Sequence, residues 1–164
     1  MSTNNFINIY LLLVKVPTEV IKMSEDLENL EKSFILDDDM EHENIKELIQ
    51  KIQLYCRIDK NGFVVIDDKV KTKLIIPDRV TLVMAARHLA NRLQQKLGKE
   101  PTIKEDVPSQ ELADMLKEKR AVIDARLKDL KDKKEVLPVS RGVYKIAPYT
   151  IPPFLKRIEK GEKA

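Results

Sequence analysis

Few residues in this chain have the type and spacing for covalent chemistry. Cys56 is the single cysteine, and a thiol becomes a nucleophile only where a base or cation favours the thiolate. It falls on the apolar side of the alternating run Leu54-Tyr55-Cys56-Arg57-Ile58. No His or Asn is spaced to activate it, so burial is expected. One cysteine excludes an internal disulfide and a multi-cysteine metal site, and fits a reducing, cytoplasmic setting. His42 stands among Asp37-Asp38-Asp39, Glu41 and Glu43, a run without the D-x-D-x-D-G order or distal Glu of a calcium loop. His88 shares the polar flank of a helical pattern with Arg87, Asn91 and Arg92, and a surface position is expected for it. There is no phosphate-cradling Gly-rich loop, zinc spacing, Ser-His-Asp or Cys-His arrangement. Neither an enzyme nor a small-molecule cofactor is expected.

What remains is ionic chemistry. The chain has 164 residues, 43% hydrophobic and 35% charged, with a net charge of +3. That charge is unevenly placed. Residues 23–50 hold 2 basic against 10 acidic side chains, whereas residues 51–164 hold 26 basic against 16 acidic. A basic body is drawn to a polyanion, and an acidic arm either folds over it or repels the same target. The absence of Trp and an aromatic content of 5% argue against the stacking platforms that bind single strands.

The elements that must carry these groups follow in chain order. The apolar run Phe6–Val16 contains Asn8 and Lys15 and is too short to span a bilayer, which needs about 20 residues. It lacks a basic leader and a cleavage site. A docked strand or helix, an interfacial anchor, or sequence preceding a true start at Met23 are the open readings, the last preferred. Residues 24–43 read as an acidic arm or linker in which Leu27, Leu30 and Phe34 can share a helix face. Residues 44–53 predict a helix, with Asn44 as cap, Glu47 at the third position, and Ile45, Leu48, Ile49 and Ile52 on one face. Leu54–Ile66 predicts a β-hairpin turning at Asp59–Gly62. Leu74-Ile75-Ile76 offers a further strand. Pro77-Asp78 opens a strongly apolar helix reaching Leu97 and stopped by Gly98, buried on two sides.

From Val107 to Ile146 the patterns become distinctive. Leu112, Met115 and Leu116 mark one helix, and Ile123, Leu127 and Leu130 mark a second at i, i+4, i+7 spacing. Val136, Leu137 and Val139 lead into Ser140-Arg141-Gly142, and Val143, Tyr144 and Ile146 lead out, a strand, tight turn and returning strand. This order of helix, turn, helix and hairpin resembles the winged helix-turn-helix of DNA-binding proteins, archaeal-type small regulators among them. The match covers residues 107–146, or from residue 77 if the preceding helix belongs with it. No Gly or Pro occurs between Ser109 and Glu135, so one unbroken helix with a short coiled-coil seam is the alternative to a pair broken near Lys117-Glu118.

The resemblance implies a recognition helix over about 119–134 in the major groove and a wing over 137–146 on the flanking backbone. Carried over by position, Lys119, Arg120, Val122, Asp124, Arg126 and Lys128 belong to the recognition helix, and Arg141 and Lys145 are the wing's phosphate contacts. Asp124 is a like charge facing phosphate, although Asp can accept from a cytosine amino group. Thr102-Ile103 would supply the small strand that pairs with such a wing. The expected fold class is α+β and mostly helical: a winged helix-turn-helix (77–153) preceded by a helix plus β-hairpin (44–76) and a poorly ordered extension (1–43). A short terminal helix and tail (154–164) follow. The expected partners are double-stranded DNA, as for a transcriptional regulator, and a second copy in a homodimer, with no membrane. A winged-helix protein–protein interaction module is the alternative function, and an arm-inhibited DNA binder a third.

Overall fold

The computed structural model describes residues 18–34 and 45–161. The Asn44 cap, the Asp37–Asp39 run with His42, and the Phe6–Val16 segment lie outside them. The chain divides into two units, residues 1–43 and 44–164. In the first, Thr18–Phe34 forms helix α1, so much of the expected arm is helical.

The second unit is a mostly helical α+β fold. Helix α2 (Ile45–Ile52) buries Ile45, Leu48 and Ile52, and Glu47 pairs with Lys51 one turn on, at 3.0 Å. Strands β1 (Cys56–Ile58) and β2 (Val64–Ile66) form an antiparallel hairpin with Cys56 opposite Ile66 and Ile58 opposite Val64. The turn is closed by Asp59, whose carboxylate accepts the N–H groups of Asn61 (2.8 Å) and Phe63 (2.9 Å). The hairpin is shorter than its apolar alternation suggested. Residues 53–55 still turn out of α2 through Leu54 N–H to the Lys51 carbonyl and Tyr55 N–H to that of Ile52, which leaves Leu54 exposed.

Helix α3 (Asp68–Lys71), capped by Asp67, replaces part of the charged connection. The expected strand at Leu74–Ile76 does not form. Ile75 caps helix α4 (Ile76–Lys96) and Ile76 already belongs to it, because Pro77 fits a first helical turn, where its missing N–H would be unbonded anyway. Val80, Leu82, Val83, Met84, Ala85 and Leu89 are buried around this helix, which packs on α2, the first hairpin and the elements that follow. Val80, Leu82, Val83, Leu112, Ile123, Leu127, Ile146, Ile151 and Leu155 belong to one core.

The polar flank of α4 is a correction to the sequence reading. Arg87, His88 and Asn91 are buried, not surface residues. The backbone of residues 99–106 folds onto them: Arg87 donates to the Lys104 (2.8 Å) and Gly62 (2.7 Å) carbonyls, Asn91 donates to the Ile103 carbonyl (2.7 Å), and His88 Nδ1 lies 3.0 Å from Glu105. A Cβ at Gly62 would sit 2.4 Å from the Arg87 guanidinium, and Gly62 has φ +87°, so glycine is required there twice over. Thr102-Ile103 therefore make no strand; Gln94 Oε1 accepts both their N–H groups.

The strand ahead of the helix pair is instead β3 (Val107–Pro108), followed by helices α5 (Ser109–Leu116) and α6 (Arg120–Asp132) and strands β4 (Val136–Ser140) and β5 (Val143–Ile146). The three strands are antiparallel in the order β3-β5-β4, with an irregularity between Pro138 and Ser140. The rod of residues 109–135 is broken, as the paired reading required. Lys117 has φ +54°, with Glu118 N–H donating to Ala113 (3.0 Å). Lys134 has φ +60° and ends α6 in the same way, Glu135 N–H donating to Leu130 (2.9 Å). Each is a left-handed helix stop in which lysine stands where glycine is usual. A 3-10 turn (Pro148–Thr150) leads to helix α7 (Ile151–Glu159), which takes Pro152 and Pro153 into its first turn and so begins ahead of the terminal helix expected from residue 154.

Candidate nucleic-acid interface

Helix α6 buries Ile123, Leu127 and Leu130 and turns Ala121, Asp124, Ala125 and Lys128 outward, all exposed. The alanines were not singled out from sequence. Their small side chains let another molecule approach the helix backbone closely between Lys128 and the first turn. Lys119 is the N-cap of α6 and Arg120 its first residue; both are exposed and no acidic residue stands in that turn. Cations at the positive end of a helix dipole each cost about 0.3–1 kcal/mol, so folding alone does not favour this placement.

The β4–β5 turn meets that same helix end. An Arg120 guanidinium nitrogen lies 3.7 Å from where a Cβ would project at Gly142, and the Ser109 hydroxyl lies 3.8 Å from it. Ser109 N–H donates to the Gly142 carbonyl (2.9 Å), so the start of α5, the start of α6 and the turn carrying Arg141 converge. Ser109 is fully buried, and its hydroxyl has no hydrogen-bond partner among the described residues. Arg141 is exposed.

The remaining candidates are placed differently. Val122 is half-buried against the body. Arg126 follows Arg120 by six residues, roughly 120° around the helix. It lines a cleft with Asp78, Asp129, Lys133 and Arg157 instead of joining Lys119 and Arg120. Its guanidinium is 3.4 Å from Asp129. Lys145 is held 3.5 Å from Glu105, on the opposite carboxylate oxygen from His88. Arg120 itself pairs with Asp124 at 3.6 Å, an exposed contact worth about 0.2–1 kcal/mol that a phosphate can displace. Sequence spacing shows neither the Glu105–Lys145 contact nor the position of Arg126, since both depend on long-range packing. Arg87 and His88 fall inside the mostly apolar stretch Val80–Ala90, a signal that could have marked them as buried.

Among the described residues no cluster of His, Cys, Asp or Glu could hold a metal ion. Burial pushes the Cys56 thiol up to about 12, which keeps it protonated and unreactive. No helix among the described residues is long and apolar enough to cross a membrane. Comparison of the chain with protein-family models, with curated proteins and with solved structures finds no match.

Proposed function

We propose that residues 77–153 form a winged helix-turn-helix domain that binds double-stranded DNA, acting as a cytoplasmic transcriptional regulator. The observation that carries this reading is the convergence of Lys119 and Arg120, at the start of α6, with the Gly142 turn that bears Arg141. The helix pair reversing at Lys117 and the β3-β5-β4 strand order are what such a domain requires. Ala121 and Ala125 would let α6 sit deep in the major groove, with Lys128 reaching along it. Lys119, Arg120 and Arg141 would neutralise phosphates at one end. A homodimer built on α2 or α4 suits the reading, since one domain spans only a short half-site. Exposed Leu93 on α4 and Leu97 at its C-terminal cap supply apolar surface for it.

A second reading is favoured by the pairing of Arg120 with Asp124 and of Lys145 with Glu105. These contacts lower the positive potential of the face and suit a protein partner contacted through the same helix.

Anisotropy titration of the full chain with duplex DNA over a range of salt separates the two. With about four phosphates neutralised, log K should fall against log salt with a slope of roughly −4. Absence of salt-dependent binding to any duplex overturns the DNA reading and leaves the second.

A further inference from the structure

The nucleic-acid reading makes no use of helix α1. Five of its six large apolar residues, Val20, Met23, Leu27, Leu30 and Phe34, follow one another at steps of three, four, three and four, the spacing of a coiled-coil seam, with Ile21 beside them. All five side chains are exposed, from 48% at Val20 to 89% at Phe34. A helix of 17 residues draws most of its stability from packing rather than propensity, so the seam marks an incomplete pair. The three-four repeat itself says that the missing surface is another helix, because knobs from one helix fill holes on its neighbour only at that period.

The positions flanking the seam say what kind of helix. They are Glu19, Ser24, Asp26, Glu31 and Ser33, so every charged flank is acidic. Two copies of α1 side by side would bring Asp26 against Glu31 if parallel, and acidic flanks against one another if antiparallel. Both disfavour self-pairing. An anionic lipid surface is disfavoured because the helix is net acidic, with Glu19, Glu25, Asp26, Glu28 and Glu31 against Lys22 and Lys32, whereas interfacial helices are rich in Lys and Arg on the polar face.

We infer that Thr18–Phe34 is a docking helix for a partner protein that presents an amphipathic helix with an apolar three-four seam flanked by lysine or arginine. Partner choice resides in the flanking charges and affinity in the five apolar side chains. With only about two and a half heptads, the pair is reversible and its strength depends on salt.

The test uses the full chain and a labelled synthetic heptad peptide, with Leu at both seam positions and Lys at both flanking positions. Saturable binding is expected. The same peptide with Glu at the flanks should bind at least tenfold more weakly, as should a scrambled Lys peptide. Leu27→Asp with Leu30→Asp adds negative charge while destroying the seam, so it should lose the peptide at least tenfold, where mere attraction between opposite charges would strengthen. Leu27→Ala with Leu30→Ala retains helix propensity and should weaken binding in the same direction. Equal binding of the Lys and Glu peptides, or undiminished binding by both seam variants, overturns the inference. So does sedimentation showing a dimer that the seam variants abolish, which would assign the seam to a second copy, or seam-dependent binding to phosphatidylcholine–phosphatidylserine vesicles.

Discussion

Lys145 on β5 lies 3.5 Å from Glu105, whose other carboxylate oxygen is 3.0 Å from the buried His88. The loop before the helix pair thus holds this cation against the body and offsets its charge. Replacing Glu105 with Gln keeps a hydrogen-bonding group beside His88 but releases Lys145. DNA affinity should rise a few-fold, and the salt slope should steepen by about one unit as one more phosphate is neutralised. Unchanged affinity and slope in anisotropy titrations would remove Lys145 from the interface.

The cations at the shared end of α6 and the wing should matter unequally to those elsewhere. Lys119→Ala with Arg120→Ala and Arg141→Ala should weaken duplex binding at moderate salt by at least tenfold and flatten the salt slope by about three units. Arg126→Ala should leave both within error, because that side chain faces the cleft with Asp78 and Arg157. A larger loss from Arg126→Ala than from the triple change would refute this division of the helix.

Arg157 grips Asp78 with two hydrogen bonds of 2.6 and 3.3 Å, and Asp78 is only 2% exposed. This ties α7 to the first turn of α4. Arg157→Ala would strand a buried carboxylate at a cost of about 3 kcal/mol, measured by urea unfolding. The double change with Asp78→Asn should recover part of that loss. If the single and double variants are equally unstable, the cost lies in the packing of the Arg157 stem on Phe154, over whose ring it lies at 5.4 Å.

Both helices of the pair end on a lysine in the left-handed region, Lys117 and Lys134. A residue with a Cβ costs about 1–2 kcal/mol there, part of which glycine returns as greater freedom in the unfolded chain. Lys117→Gly should therefore raise the unfolding free energy by about 0.5–1 kcal/mol, read as a higher urea midpoint at unchanged slope. A fall in midpoint would mean that the lysine side chain contributes more than its backbone conformation costs.

Burial raises the Cys56 thiol from its ordinary value of 9.0 to about 12. The native state favours the protonated form, so the stability this confers is complete below about pH 9 and is lost as pH rises towards 12. Unfolding followed from pH 8 upwards should show stability declining through that window, and Cys56→Ala should flatten the decline. Alkylation at neutral pH should proceed only on unfolding; rapid modification of the native chain would contradict the buried thiol.

Much of this fold was written in short-range patterns. Ile123, Leu127 and Leu130 announced α6, and Gly142 announced the β4–β5 turn, because periodicity and turn chemistry act over a few residues. The break at Lys117 was harder to read, since no glycine marks it; the hydrogen bond from Glu118 to Ala113 and the 3.9 Å approach of Arg79 to Glu118 hold it. Pairing partners were misplaced where backbone alone decides. Ile103 has strand-like character, but Gln94 claims its N–H, and Val107 pairs with Tyr144 instead. The site was legible as a set of residue types and only partly as a surface. The separation of Arg126 from Arg120 follows from helix geometry, whereas the Glu105–Lys145 contact joins residues forty positions apart.

Because β3 is stitched to β5 and Ser109 N–H is anchored on Gly142, the turn bearing Arg141 is not a free flap. Its freedom has already been given up when the chain folds, so a molecule seated on it has little left to immobilise. The same sheet is tied to the interior at a second place, where Lys145 on β5 meets Glu105 and Glu105 meets the buried His88.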